Sequence, residues 1–187
     1  MSNEIIVETE RLLFRQHMIV DMDTYCAMEM DPDFRRYVGG KPRTREEAEK
    51  RFMASLEPVT NRLSMWATVF KPEGQYIGRC GIYPHFNHDG KPIPGEASLG
   101  LYIAKEYWGR GLATEAGRAF MKLGFDELKL NRIVTVIDTR NDVSVHVIEK
   151  LGFELVETET GDQRSFYHYS MDKDGFYNSK KFSVQIT

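Results

Sequence analysis

One segment, EASLGLYIAKEYWGRGLATEAGRAF from Glu96 to Phe120, constrains this chain more than any other. A strand ends near Ala104. A helix begins near Leu112 and runs to about Leu128, with Ala113, Ala116, Phe120 and Leu123 as its buried stripe. Gly109 and Gly111 stand at the mouth of that helix. A helix start leaves backbone N–H groups without partners and carries about half a positive charge. Glycines there let a bulky anion approach the main chain. Gly109, Gly111 and Ala113 are small at alternate positions, so the peptide groups of Gly109, Arg110, Gly111, Leu112, Ala113 and Thr114 are placed to wrap a phosphate or pyrophosphate. The Arg110 side chain would add charge at the rim. The plain alternative is an ordinary turn into a helix. No Gly-Lys-Ser/Thr follows, so this is not a Walker loop. It is also a poor dinucleotide fingerprint, which belongs early in a βαβ unit with an acidic partner about 20 residues on.

The remaining elements follow from pattern and punctuation. Glu8–Gln16 reads as a first strand, and Asp21–Met30 as a short helix ending before Pro32. A stronger helix follows Thr44, which forms a capping box with Glu47, and Ala48, Phe52 and Ser55–Leu56 share its inner face. Ser64–Phe70 and Gln75–Tyr83 read as strands joined by the turn Lys71–Gly74. Pro84–Gly95 has no period and reads as a surface loop long enough to be functional. Glu96–Ala104 is the next strand. Arg132–Asp138 is almost unbroken apolar sequence, which predicts a strand covered on both faces. A helix over Val143–Lys150 stops at Gly152. FELVETE and SFYHYSM form a closing antiparallel pair around TGDQR, and the polar tail from Asp172 is expected to fray. Trp66 and the alternating aromatics of SFYHYS read as core. The expectation is one mixed α/β domain over residues 1–187, with its core at about 7–171.

Charge and cysteine usage exclude several classes. Lys plus Arg is 25 against 28 Asp plus Glu, a formal net charge of −3, which disfavours a nucleic-acid partner. An anionic ligand must therefore be held locally. Cys26 and Cys80 form no C-x-x-C and read as free thiols in a reducing compartment. MSNEIIVETE does not read as a signal peptide, and no stretch is long enough to span a membrane. A cytoplasmic protein is expected.

In combination, Trp-Gly-x-Gly-x-Ala-Thr-Glu-Ala from Trp108, Asn-x-x-Ser from Asn141 and Glu-Lys-x-Gly-Phe from Glu149 resemble the GNAT superfamily of acyl-CoA-dependent N-acetyltransferases. The early Thr9–Arg15, TERLLFR, is similar to the branch containing the ribosomal-protein N-terminal acetyltransferases. The resemblance runs from about Val7 to Met171. It implies a mostly antiparallel central sheet, splayed around the cofactor and flanked by helices. It implies acetyl-CoA as cosubstrate, with Trp108, Gly111 and Ala113 at the marked positions of the pyrophosphate loop; Trp108 departs from the superfamily's Gln/Arg. It implies that main-chain groups of Leu101, Tyr102 and Ile103 pair with the pantetheine arm, and that one of their N–H groups holds the developing oxyanion. Asn141 would hydrogen-bond that arm, and Ser144 would sit near the sulfur to protonate the leaving thiolate. Read from residues alone, Asn141 or Asp142 simply caps the next helix. Many superfamily members carry a Tyr acid where Ile148 stands here.

The implied reaction is attack of a free amine on the thioester, so the ammonium must first lose a proton. Strand alternation puts Glu96, Ser98, Gly100 and Tyr102 on one face. The branch often has Glu where Ser98 stands, so Glu96 becomes the candidate base, with a solvated carboxylate as the alternative. His85 and His88–Asp89 lack a third ligand fixed by spacing, so no metal is expected, and they read as residues near the acceptor mouth. His146 reads as a surface or packing residue, and His168, between Tyr167 and Tyr169, as lining the acceptor cleft or packing. The acceptor is a peptide N-terminus or a small-molecule amine, and a homodimer is left open. Competing readings are a catalytically silent coenzyme A-binding or sensor domain and a nucleotide- or NAD-binding module.

Overall fold

The computed structural model describes residues 5–178. Its centre is an eight-stranded sheet in the order β1-β2-β3-β4-β5-β6-β8-β7. The strands are β1 (Ile5–Glu8), β2 (Leu12–Arg15), β3 (Ser64–Phe70), β4 (Gln75–Phe86), β5 (Pro92–Ile103), β6 (Arg132–Asp138), β7 (Glu154–Thr160) and β8 (Ser165–Asp172). All neighbours are antiparallel except β5 and β6, which run parallel. The helices are α1 (Met22–Met30), α2 (Pro32–Arg35), α3 (Arg45–Ala54), α4 (Leu112–Lys122), α5 (Asp142–Lys150) and α6 (Lys173–Asn178). None of the described helices is long and apolar enough to cross a membrane.

Strand alternation divides the core. Trp66 and Ala67 are consecutive on β3 yet enter different clusters, so they mark opposite faces of the sheet. On one face Tyr25, Phe34 and Phe52 from α1–α3 pack on Ala67 and Tyr76. On the other, Leu112, Ala116 and Phe120 of α4 pack on Trp66, Ile77 and Leu99. Thr44 caps α3 as its sequence predicts: the Glu47 N–H donates to Oγ1 at 3.2 Å, and the Thr44 N–H donates to Glu47 Oε2 at 2.8 Å.

Five expectations are corrected. Glu8–Gln16 is not one strand: the Thr9 hydroxyl accepts the Leu12 N–H at 3.0 Å, which turns the chain and splits β1 from β2. Pro84–Gly95 is not a long loop, since β4 and β5 extend into it and the turn shrinks to Asn87–Lys91, where Asn87 Oδ1 accepts the Asp89 and Lys91 N–H groups at 3.0 Å. Prolines are tolerated there because β3 ends opposite Ile82 and β6 begins opposite Glu96, leaving a two-stranded arm with free outer edges. The long helix leaves α geometry at Lys122 and closes in a π turn, with the Leu128 N–H bonded to Leu123 O at 3.0 Å. β6 is not covered on both faces: Ile133, Thr135 and Ile137 are buried, but Val136 is 49% exposed. The tail does not fray from Asp172; α6 folds back and buries Phe176 against Phe125. The remainder of that tail lies outside the described residues.

Beneath α1–α3 the sheet face carries buried charge. Glu29, fully shielded, meets Arg79 at 2.6 Å, Arg43 at 2.7 Å and Arg35 at 3.2 Å. The Arg79 guanidinium lies between the Tyr25 and Tyr102 rings, 4.8 and 5.0 Å from their centroids. Burial alone would raise the Glu29 carboxyl, but Arg79, Arg43 and Arg35 overcome it and hold it below its ordinary value.

His17 gives this region a pH dependence. Its Nε2–H points at the Met65 carbonyl, 3.2 Å away, and its Nδ1 is buried without a partner. Burial is the main cause that lowers its pKa from 6.5 to about 4. Above pH 6.5 the ring is neutral folded or unfolded. As pH falls from there toward 4, the unfolded chain takes up a proton that the folded one refuses, so stability is lost across that window. The loss is about 3 kcal/mol at 1.36 kcal/mol per pKa unit. Urea midpoints of the wild type and His17→Gln should converge as pH falls toward 4; parallel curves would remove His17 from the account.

Candidate active site

β5 and β6 pair only at Glu96↔Arg132, Ala97↔Ile133 and Ser98↔Val134. The Thr135 hydroxyl then donates to Leu99 O at 3.2 Å, and the strands part. β5 stays with β4 as far as Ile103↔Gly78, while β6 stays with β8. The gap opens as a cavity of about 400 Å³. Gly100, Leu101, Tyr102 and Ile103 line one wall and Thr135–Asp138 the other. Trp108 and Ala113 lie at one end, and Asn141, Ser144 and Ile148 close it from α5. An unpaired strand edge inside a cleft is a template for an extended ligand.

The glycine turn flanks this cleft through Trp108 and Ala113, while Gly111 and Thr114 line a second groove beside it. Gly109 (φ 73°) and Gly111 (φ 76°) are both left-handed, a conformation that other residues adopt at a cost. Gly111 is the N-cap of α4 and supplies no side-chain cap, so the first-turn N–H groups are left for an outside acceptor. A Cβ at Gly109 would meet nothing within 4 Å, so the turn borders open space. The Leu112 and Thr114 side chains are buried, so only their peptide groups can serve a ligand. Arg110 lies at the rim, 4.9 Å over the Tyr107 ring and 3.9 Å from Glu73. The Trp108 indole N–H donates to Ile103 O at 2.6 Å, pinning the turn to the end of β5 and occupying one of the carbonyls expected to face the ligand.

Arg11 and Thr9 explain why TER and TEA occur together. Glu115 accepts from the Thr9 hydroxyl at 2.6 Å, from the Arg11 N–H at 2.9 Å and from Arg11 Nε at 2.7 Å. Burial opposes ionisation of Glu115, but these donors hold its pKa below the usual value. The β1–β2 corner is thereby clamped to the first turns of α4, a role that sequence reading did not assign. A larger, more open groove of about 790 Å³ runs beside this clamp. The smaller cleft is the better candidate site, because there the sheet parts and polar groups from five elements converge.

Asn141 is the N-cap of α5: its Oδ1 accepts the Ser144 N–H at 3.2 Å, which leaves its NH2 group for a ligand. Cap and cleft positions therefore coincide. Ser144 is half-buried on the same wall, and Ile148 fills the position of the expected acid with a buried apolar side chain. Glu96 is not among the cleft residues; its carboxylate pairs with Arg132 at 2.8 Å.

The far end of the cleft holds Tyr83 and Ser98, a cross-strand pair. Ser98 Oγ lies 3.1 Å from His85 Nδ1. Burial, helped by Tyr102 and opposed by the Ser98 hydroxyl, pushes the Tyr83 phenol up to about 12. Asp33, Phe34 and Tyr37 form the facing lip. Arg164 crosses the opening, bonding Tyr37 O at 3.2 Å and Asp138 at 2.7 Å. Hydrogen bonds from Arg140, with Arg164 adding and burial opposing, hold Asp138 well below the usual carboxylate range. His168 pairs with Glu159 at 2.9 Å, away from the cleft. Among the described residues no group of three or more His, Cys, Asp or Glu is placed to hold a metal.

Residues 11–154 match the acetyltransferase (GNAT) domain family. The chain is 30% identical over 152 residues to an uncharacterized N-acetyltransferase, p20, of Bacillus licheniformis, covering 78% of this chain and 80% of that one. Its fold is similar to that of a GNAT-family acetyltransferase from Bacillus anthracis, with a TM-score of 0.78 at 21% identity over 90% of this chain and 98% of that one. It is also similar to a spermidine N-acetyltransferase from Vibrio cholerae, solved in complex with CoA and spermine. That match has a TM-score of 0.74 at 18% identity and covers 91% of this chain and 100% of that one.

Proposed function

The chain belongs to the GNAT acetyltransferase family, and from that premise we propose that it moves the acetyl group of acetyl-CoA to a primary amine by direct attack on the thioester. The parting of β5 from β6 just before the left-handed glycines carries this reading. The N–H groups of Gly109–Thr114 receive the pyrophosphate, with Arg110 at its edge and Trp108 fixing the turn. The free edge of β5 at Leu101, Tyr102 and Ile103 receives the pantetheine arm and supplies an N–H to the oxyanion. The Asn141 NH2 group holds the same arm. Ser144 gives its hydroxyl proton to the departing thiolate. The acceptor enters by the aromatic lip of Phe34 and Tyr37 and is a peptide α-amine or a small-molecule amine.

Calorimetric titration with acetyl-CoA, with NAD as the control ligand, tests the site. Gly111→Val should weaken acetyl-CoA about 10- to 100-fold, since charge-assisted hydrogen bonds contribute about 1.5–3 kcal/mol each. A Cβ there comes within 4 Å only of Arg11 Nη2, so the cost to the fold is the left-handed backbone at φ 76°, about 1–3 kcal/mol, and circular dichroism checks that the variant stays folded. Unchanged affinity in that variant, with circular dichroism intact, would remove the pyrophosphate from the glycine turn. Peptides with N-terminal Ala or Ser, and spermine, make the first acceptor panel. Tight acetyl-CoA binding without turnover of any of them would favour a silent coenzyme A-binding domain, a reading that the ion pair of Glu96 and the apolar Ile148 keep in play.

A further inference from the structure

We propose that Ser98 and His85 together remove the proton from the acceptor ammonium, the Ser98 hydroxyl touching the amine and His85 receiving the proton through it. This rests on the transferase reading above. Ser98 is the last β5 residue paired to β6, so its side chain stands at the apex where the cleft begins. Its Oγ is 3.1 Å from Nδ1 of His85, whose half-buried ring lies on the two-stranded arm beyond β3.

The other titratable groups of the cleft are already committed. Asp33 is paired with Lys105, and Asp138 with Arg140 and Arg164. Tyr83 keeps its proton to about 12. Tyr102 lies under the Arg79 guanidinium, and Tyr37 is a second phenol. Glu96 is neutralised by Arg132 outside the cleft lining. Imidazole is the side chain whose ordinary ionisation falls between about pH 5 and 8. The charged and titratable groups on the elements nearest His85 are Tyr83 on its own strand, Glu96 on β5, Arg132 on β6, and His88, Asp89 and Lys91 in the hairpin, while Tyr102, Asp33 and Tyr37 line the cleft further along. β3 contributes none, since it ends against Ile82 with Ser64.

The proton balance is as follows in atoms. An N–H bond of the ammonium breaks and leaves its electron pair on nitrogen. That proton bonds to Ser98 Oγ while the hydroxyl proton of Ser98 moves to His85 Nδ1. The imidazolium releases its Nε2 proton to water, and proton exchange with water returns the ring to the Nε2–H tautomer before the next turnover. The free amine then bonds to the thioester carbon, the C–S bond breaks, the thiolate takes the Ser144 proton, and the second proton shed by the acylated nitrogen passes through water to restore the Ser144 hydroxyl.

Two readouts test the relay. The first needs no acceptor: long-range proton–nitrogen NMR of the histidine rings, with His85 assigned through His85→Gln. His85 should be the Nε2–H tautomer with a hydrogen-bonded Nδ1 near neutral pH, and Ser98→Ala should abolish that bond. The Nδ1–H tautomer, or no change in Ser98→Ala, overturns the pairing. The second is the pH profile of kcat/KM with whichever amine of the panel turns over. In His85→Gln, kcat should fall about 100- to 1000-fold, the range expected for general-base catalysis. The acidic limb should vanish, and KM for acetyl-CoA should stay within about twofold, as for a group acting only on the transition state. Ser98→Ala should match it, with the double variant no worse than either. A limb that persists in His85→Gln, or that disappears in Glu96→Gln instead, overturns the relay while leaving the transferase reading standing. A folded wild type that binds acetyl-CoA yet acetylates nothing in the panel overturns that reading and the relay with it.

Discussion

Glu29→Ala should lower the free energy of unfolding by about 3–5 kcal/mol, the usual result of removing one partner from a buried ion cluster. Glu29 is fully shielded, and Arg35, Arg43 and Arg79 all direct nitrogens at its two oxygens. Its removal leaves three guanidinium groups facing one another in the interior. Arg79 is the worst placed, because it lies between two tyrosine rings and one of its terminal nitrogens already lacks a partner. Glu29→Gln keeps the volume and one acceptor oxygen, so its cost should be roughly half. Urea midpoints of the two variants measure this. A loss below about 1 kcal/mol in Glu29→Ala would mean that water enters the cluster and screens it. The pH sign follows from the same contacts. The Glu29 pKa is depressed in the folded state, so its stabilisation is present above the ordinary carboxylate range and is lost as pH falls below it.

Gly78→Ala should cost about as much, by a different route. Gly78 sits at a bulge in β4 with φ 148°, and a Cβ there would lie 2.1 Å from the Tyr102 carbonyl oxygen and 3.0 Å from Ile103 Cα. Those are backbone atoms in a paired strand and cannot swing aside. Backbone strain of about 1–3 kcal/mol adds to crowding of about 1–3 kcal/mol. Gly90→Ala is the comparison: its φ is 72°, but nothing lies within 4 Å. It should cost only about 1–2 kcal/mol. Because the displaced strand carries Tyr102 and Ile103, Gly78→Ala should also weaken acetyl-CoA in the calorimeter, whereas Gly90→Ala should not. Equal stability losses in the two variants would show that β5 yields at that point.

What could be read beforehand was whatever local chemistry decides. The Thr44–Glu47 cap, the boundaries of Ser64–Phe70 and Arg132–Asp138, and the glycine turn before α4 all depend on residues within a few positions of one another. Non-local facts were out of reach. Pro84–Gly95 looked like a loop because prolines usually end strands, and only the absence of outer neighbours at that end of the sheet makes them acceptable. That misreading hid the pairing of His85 with Ser98, which needs β4 to continue. Glu96 shares a face with Ser98, as alternation requires, but its partner Arg132 comes from a strand 36 positions away. The clamp of Glu115 by Thr9 and Arg11 spans more than 100 positions, beyond the reach of local pattern.

The sheet joins two unequal blades, β1–β5 and β6–β8–β7, through three residue pairs and one threonine hydroxyl. Such a seam has few backbone hydrogen bonds across it. A ligand lying along it would act as a splice, adding cohesion to that which the shared core beneath the sheet already supplies. Occupancy would then set how readily the halves breathe apart. The same seam that admits the ligand makes the protein's resistance to shear depend on it.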